Sequence, residues 1–209
     1  MSLLPEPLTS RPKGKNLFWI DDFITPAECA FVCQELEFSF WQRSSVIRKV
    51  ENNQIQSMHS PTRISETSGQ EWFSDELLDF LQVLETRLES LLGTSRQRLE
   101  FWQATRYEPG GQFDYHHDAG FWEDDPAGER RHTILLYLDT PERGGQTHFR
   151  AQDVSVRAVA GRLLVWNNLL PTGSCNYGMI HASTPVLEGQ KTTLVTWERL
   201  NPFRTEPLN

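Results

Sequence analysis

The chain has 209 residues, enough for one buried core or one core with a small appendage. Hydrophobic residues at 38%, charged residues at 23% and aromatics at 11% exclude a disordered or fibrous polypeptide. The 28 acidic against 20 basic residues give a formal charge of −8, which argues against nucleic acid and against a polybasic membrane patch as partners.

Residues 1–16 read as a mobile tail and 17–209 as a single domain. Pro-interrupted, the tail lacks the apolar stretch of a signal peptide, and no uncharged run approaches the ~20 residues that span a bilayer, so a cytoplasmic location without membrane contact is expected. Three cysteines cannot all pair. Cys29 and Cys33, four apart on a predicted helix, read as small buried hydrophobes, and with Cys175 they suit a reducing compartment.

Phe18, Trp19, Ile20, Phe23 and Ile24 form a short apolar strand interrupted by Asp21 and Asp22. Thr25-Pro26-Ala27-Glu28 then opens a helix with a capping box and proline at its first position, and Ala30, Phe31 and Leu36 are its expected buried side. The polar stretch 39–70 has no helical period and predicts irregular strands and loops. Over 75–92, Leu77, Leu81, Leu84, Leu88, Leu91 and Leu92 recur at helical spacing, with Ser74 as cap and Gly93 as stop, which predicts an amphipathic helix against the core. Beyond it, short apolar or alternating runs at 101–107, 112–118, 133–138, 154–156, 162–166 and 192–197 predict strands. Two early helices followed by many strands give an α+β class with helices backing a mainly antiparallel sheet or sandwich.

The run from Tyr107 through Pro109-Gly110-Gly111 to His116-His117-Asp118 leads from a turn into a strand ending in His-x-Asp. Residues two apart on a strand share a face, so His116 and Asp118 point together and His117 points away. An imidazole and a carboxylate on one face are two thirds of a 2-His-1-carboxylate triad, which leaves coordination positions open for substrates. Taken alone, a strand-end His and Asp more often form a hydrogen bond or a turn cap. A remote His181, with Lys191 on the apolar run after it, tips the balance toward a metal site.

In order and spacing, Arg106-Tyr107-Glu108-Pro109-Gly110-Gly111, His116-x-Asp118, Thr133 to Leu138, Gly144-Gly145-Gln146-Thr147-x-Phe149, Gly161 to Asn167, and His181-Ala182-x-x-Pro185-Val186-x-x-Gly189-x-Lys191 with Trp197-x-Arg199 resemble the prolyl 4-hydroxylase family of iron(II)- and 2-oxoglutarate-dependent dioxygenases. The resemblance implies a double-stranded β-helix, a distorted jelly roll, with supporting N-terminal helices. It also implies His116, Asp118 and His181 as iron(II) ligands, Lys191 as partner of the distal carboxylate of 2-oxoglutarate, and Tyr107 and Trp197 as lining of that pocket. Arg130 matches a position that contacts peptide substrate in some relatives. Iron(II), 2-oxoglutarate and O2, with ascorbate as an accessory reductant, are the implied cofactors and co-substrates. Hydroxylation of a C–H bond is the implied reaction, on a prolyl residue of a peptide or protein or on a small amino-acid-like molecule. Asp118 argues against halogenation, for which related enzymes replace this carboxylate by a small residue.

Other polar residues have plainer readings. His59, His117, His132 and His148 read as structural or solvated, and Gly144-Gly145 as a turn between strands. Glu123-Asp124-Asp125 reads as a solvated loop inside a 119–131 insert that, with 39–70, is the expected specificity element. The alternatives from other classes are a non-catalytic metal-binding sandwich and a His2Asp zinc hydrolase, which has no use for a buried lysine at position 191.

Overall fold

The computed structural model describes residues 16–50 and 54–204. The tail expected over 1–16 lies outside the described residues except for Asn16, whose carbonyl accepts a hydrogen bond from the Asn167 amide. In chain order the elements are β1 (Leu17–Ile20), α1 (Pro26–Leu36), β2 (Gln42–Arg43), β3 (Val46–Lys49), β4 (Ile55–Met58), β5 (Arg63–Ile64), β6 (Glu66–Gly69) and α2 (Asp75–Leu92). Then follow β7 (Gln103–Tyr107), β8 (Gln112–His116), β9 (Arg130–Tyr137), β10 (Arg143–Gly144), β11 (Thr147–Phe149) and β12 (Val154–Val156). The last are β13 (Leu163–Asn167), β14 (His181–Ser183), β15 (Val186–Glu188) and β16 (Lys191–Arg199).

Two antiparallel sheets make the double-stranded β-helix. The larger runs β1-β13-β9-β16-β7-β6-β2 and the smaller β12-β11-β14-β8-β5, with the ribbons β3-β4 and β10-β15 at the margins. Strand alternation divides the faces of the large sheet. Ala104, Ile134, Leu136, Leu163, Val165 and Leu194 point outward onto the helices, into a core built with Val32, Leu36, Leu77, Leu81, Leu84 and Leu88. The inward face packs Tyr137, Leu164 and Trp166 against Phe149, Val154 and Val156 of the small sheet.

Both helices start where the sequence places them. Thr25 and Glu28 exchange hydrogen bonds in the capping box, Ser74 caps α2, and Gly93 closes α2 in the left-handed region at φ 64°. The buried side of α1 is Cys29, Val32 and Leu36, whereas Ala30 is exposed and Phe31 half-buried, packed edge-on to Phe80. The helix lies rotated because the position of α2 selects which stripe is covered. For the same reason Leu91, past the end of the covered stripe, is exposed.

The strands deviate in two ways. β9 begins three residues earlier than the apolar run, since Arg130 continues the ladder against Arg199. β8 ends at His116, so Asp118 lies just beyond the strand. The stretch 39–70 holds five short strands, and β10, β11, β14 and β15 are too short to show a period. Among the described residues no helix is long and apolar enough to cross a membrane, and all three cysteines are free.

Candidate active site

A turn and a strand pairing bring the expected ligands together. Between β7 and β8 the chain reverses at Pro109-Gly110-Gly111, where Gly110 sits at φ 87° and its amide donates to the Val186 carbonyl at 2.7 Å. The reversal lets β8 run beside β14, with His116 directly across from His181 and the ring centroids 4.2 Å apart. Asp118 completes the group: its Oδ1 is 3.9 Å from His116 Nε2 and its Oδ2 is 3.7 Å from His181 Nε2. One ligand atom from each residue lies within 4.8 Å of the others, too far apart for mutual hydrogen bonds and close enough to share one ion.

The tautomers agree. His116 Nδ1 lies 2.8 Å from the Asp114 carbonyl and His181 Nδ1 lies 3.0 Å from the Met179 carbonyl, so each Nδ1 carries the proton and each Nε2 offers its lone pair to the cluster. Burial, with the neighbouring His181, holds the His116 pKa down to about 3, and burial lowers that of His181. Burial opposes ionisation of Asp118, yet the two histidines, Arg130 and the Thr133 hydroxyl hold its carboxyl at about 2. At neutral pH the trio is two neutral imidazoles and one carboxylate, the donor set that suits iron(II) and leaves positions open.

Two groups the motifs did not reveal orient the carboxylate. Thr133 Oγ1 donates to Asp118 Oδ2 at 2.6 Å, and Asn168 Nδ2 in turn donates to Thr133 Oγ1 at 2.8 Å. The available signal was Thr133 itself, a polar residue at an inward position of an otherwise apolar strand. Thr133→Val keeps the shape and removes the donor. We expect iron affinity to fall about 10–100-fold, the usual loss when a group orienting a ligand goes, together with a lower melting temperature because the buried Asn168 amide loses its acceptor. Affinity equal to that of the parent protein in an anaerobic iron titration would deny Thr133 this role.

Lys191 opens the same cavity from the large sheet. Its Nζ donates to Ser183 Oγ at 2.8 Å and lies 4.9 and 5.7 Å from the ring centres of Tyr107 and Tyr137. The register explains the grouping, since Lys191 pairs with Tyr107 of β7 and Thr193, two residues on, pairs with Tyr137 of β9. No carboxylate forms an ion pair with Lys191 among the described residues. Burial pushes its pKa down to about 7, against the pull of Asp139. Gly144, at φ 79°, closes the turn beside this end, where a Cβ would sit 2.1 Å from the Pro185 carbonyl oxygen.

The cavity measures about 870 Å³ and holds the ligand trio, Lys191, Tyr107, Trp197 and Arg130 in its lining. Trp166 and Trp197 also line it, and each has a buried indole N–H with no acceptor among the described residues.

A family model described as the 2OG-Fe(II) oxygenase superfamily matches residues 102–199, the span that carries every one of these groups. Over those residues the chain is similar to that superfamily. Among curated relatives it is 33% identical over 141 residues to prolyl 4-hydroxylase subunit alpha-1 of Gallus gallus, a match covering 64% of this chain and 27% of that protein. It is 30% identical over 183 residues to prolyl 4-hydroxylase subunit alpha-3 of Rattus norvegicus, covering 84% of this chain and 32% of the relative. The chain thus spans about a third or less of the length of these two relatives. In fold it is similar to a viral collagen prolyl hydroxylase from Paramecium Bursaria Chlorella virus-1 in complex with 2OG. The TM-score is 0.63 and the identity 22%, over 89% of this chain and 97% of that one.

Within this oxygenase-superfamily frame the remaining predicted residues take definite places. Arg130 is held in a two-point ion pair with Glu100, both contacts 2.7 Å, and its guanidinium lies 3.7 Å above the Trp197 ring. His117 turns from the cluster and stacks on Phe121, edge-on to Tyr177. His132 bonds Glu198, His148 bonds the Tyr115 hydroxyl, and His59 meets the Ser44 carbonyl. In the acidic loop, Glu123 and Asp124 are exposed, but Asp125 pairs with Arg199 at 3.0 Å. The 119–131 insert does border the cavity, through Phe121 and Trp122, and so does the 39–70 segment, through Ser45, Ile47, Arg63 and Thr67.

Proposed function

We propose that this chain is an iron(II)- and 2-oxoglutarate-dependent dioxygenase that hydroxylates a prolyl residue of a peptide or protein, or a small amino-acid-like molecule. The observation that carries the reading is the presence, in one cavity, of a His2Asp cluster and a buried lysine that has no carboxylate ion pair among the described residues. A hydrolytic metal site has no use for that lysine, whereas a dianionic co-substrate requires a fixed cation at its far end. The prolyl assignment is supported by the curated relatives, both prolyl 4-hydroxylases by name. A cytoplasmic location accompanies the proposal, and the three free thiols suit it.

His116, Asp118 and His181 would hold iron(II), and Lys191, Ser183 and Tyr107 would hold the distal carboxylate of 2-oxoglutarate. Bound there, the metal and the 2-oxo acid supply the O2-dependent oxidising chemistry, with succinate and CO2 as co-products. The protein's share is placement and shielding. Carbonyl contacts fix both imidazoles, Thr133 and Asn168 fix the carboxylate, and Phe113, stacked on His116 at 3.6 Å, covers the cluster on one side. Trp166, edge-on to His181 at 4.6 Å, covers it on another, so that apolar walls keep water from the oxidant.

Anaerobic titration of the protein with iron(II) and 2-oxoglutarate should produce the weak visible charge-transfer band of a chelated 2-oxo acid. Absence of that band in folded, iron-loaded protein would sink the proposal. The lysine adds a pH signature. In the free protein its pKa is about 7, lowered by burial, and an arriving carboxylate stabilises the ammonium and raises it. Binding therefore takes up a proton above pH 7 and none well below. We expect 2-oxoglutarate affinity to be level in acid and to fall about tenfold per pH unit above that point. Calorimetry at about pH 8 in buffers of different ionisation enthalpy should show uptake of close to one proton; zero uptake there would contradict the assignment.

A further inference from the structure

Beyond β16 the chain folds back to the cavity mouth. The Phe203 and Arg204 amides both donate to the Gln97 carbonyl, at 2.7 and 2.9 Å. The Arg204 side chain ties the segment down, pairing with the buried Glu85 at 2.8 Å and donating to the Glu100 carbonyl at 2.9 Å. Phe203 is thereby set edge-on to Phe101, with ring centres 5.8 Å apart, and both residues line the cavity that holds the His2Asp cluster. The Arg204 guanidinium lies 5.1 Å from the centre of the Phe101 ring and still leaves that residue 57% exposed. An apolar pair fixed in place and open to solvent at the rim of a cavity marks a surface for a ligand.

Charge and distance decide what meets the pair. The two cations that lie over the rings are matched: Arg204, over Phe101, by Glu85, and Arg199, over Phe203, by Glu100 and Asp125. The rings therefore present an uncharged, apolar surface. Their distance from the cluster follows from the order β9-β16-β7 in the large sheet. Thr133, which donates to Asp118, pairs with Trp197 across β9 and β16, and on the other side of β16 the Glu100 amide donates to the Trp197 carbonyl. Two strand spacings, about 10 Å, thus separate the anchor of the Asp118 carboxylate from the backbone that carries Phe101. An extended peptide advances about 3.3 Å per residue, so a lone amino acid at the cluster falls short of the pair and a residue about three positions along a peptide reaches it.

We infer that Phe101 and Phe203 form a subsite for an apolar side chain of a peptide substrate, about two to three residues from the residue that is hydroxylated. The substrate is then a peptide or protein and not a small amino-acid-like molecule. This inference rests on the dioxygenase reading and decides between its two substrate classes.

The test uses the intact protein loaded anaerobically with iron(II) and 2-oxoglutarate, and loading is read first from the charge-transfer band. Calorimetry then measures binding of acetyl-Ala-Ala-Ala-Pro-Ala-Ala-Ala-amide and of the peptides in which a single Ala is replaced by Leu. Leu at a position two or three residues from Pro should tighten binding about tenfold, the gain from burying its larger apolar side chain. Phe101→Ala should bring that peptide to the level of the all-Ala peptide, and Phe101→Leu should keep part of the gain. Equal affinity across the Leu peptides, including failure of all of them to bind, overturns the inference. So does a gain confined to the positions next to Pro, or one that survives in Phe101→Ala. Loss of 2-oxoglutarate affinity in Phe101→Ala also overturns it, by assigning the ring to support of the co-substrate pocket. Failure of the parent protein to load falls on the dioxygenase reading instead, and removes this inference with it.

Discussion

Asp118→Ala abolishes iron-dependent turnover and lowers iron affinity by more than about 100-fold. Outer-shell partners alone account for about 10–100-fold in such sites, and this change removes a ligand. It also removes the only negative charge of the trio, leaving two neutral imidazoles to hold a dication. His116→Ala has a comparable effect, because its Nε2 lies in the same small volume. His117→Ala, one residue away, leaves iron binding largely intact, since that ring packs on Phe121 and Tyr177. The check is anaerobic equilibrium dialysis of iron, with circular dichroism to confirm the fold. Iron retained by Asp118→Ala, or lost equally in His117→Ala with the fold preserved, contradicts the assignment.

Lys191→Met separates an oxygenase from a generic metal site. The substitution removes the charge and keeps an unbranched stem among Ser183, Tyr107 and Tyr137, so the core suffers little. It leaves a buried carboxylate of 2-oxoglutarate without its partner, which costs about 3–5 kcal/mol because the surviving charge stays desolvated. That is a loss of roughly two to three orders of magnitude or more in co-substrate affinity. Iron should bind as before. Arg at this position restores only part of the loss, since its planar fork needs more room than the slot between two tyrosine rings allows. Calorimetry on iron-loaded Lys191→Met reads the result directly, and an unchanged 2-oxoglutarate affinity would return the zinc-hydrolase and scaffold alternatives to consideration.

Stability considerations favour the same division of roles. Lys191 is held in the cavity wall with no carboxylate ion pair among the described residues, an arrangement that costs stability in the free protein. A fold tolerates this where ligand binding returns the difference, and the dense leucine core between α2 and the large sheet supplies the margin.

The ligand trio and Lys191 were legible from ordered motifs that resemble one family; taken alone, His-x-Asp at a strand end favours a hydrogen bond or a turn cap, and only the remote His181 and Lys191 shifted that reading toward a metal site. The helices were legible from caps and periodicity, which are local too. The runs over 133–138, 162–166 and 192–197 were legible as strands, but their nearly continuous apolar residues did not say which face turns inward. Strand ends were less secure, as at β8, where the ladder stops two residues short of Asp118 while the carboxylate still turns into the cluster.

What the sequence determined alone is therefore local: capped helices, short strands, and a series of motifs whose resemblance to one family implies a metal and co-substrate site at His116, Asp118, His181 and Lys191. Tertiary structure alone decided their support. Thr133 and Asn168 meet Asp118, Glu100 meets Arg130, and Phe113 comes between Arg63 and His116 only because distant strands pair in one register. The physical reason is range. Caps and alternation are set within a few residues, whereas an orienting hydrogen bond or an unpaired buried cation depends on which strands the whole core brings side by side.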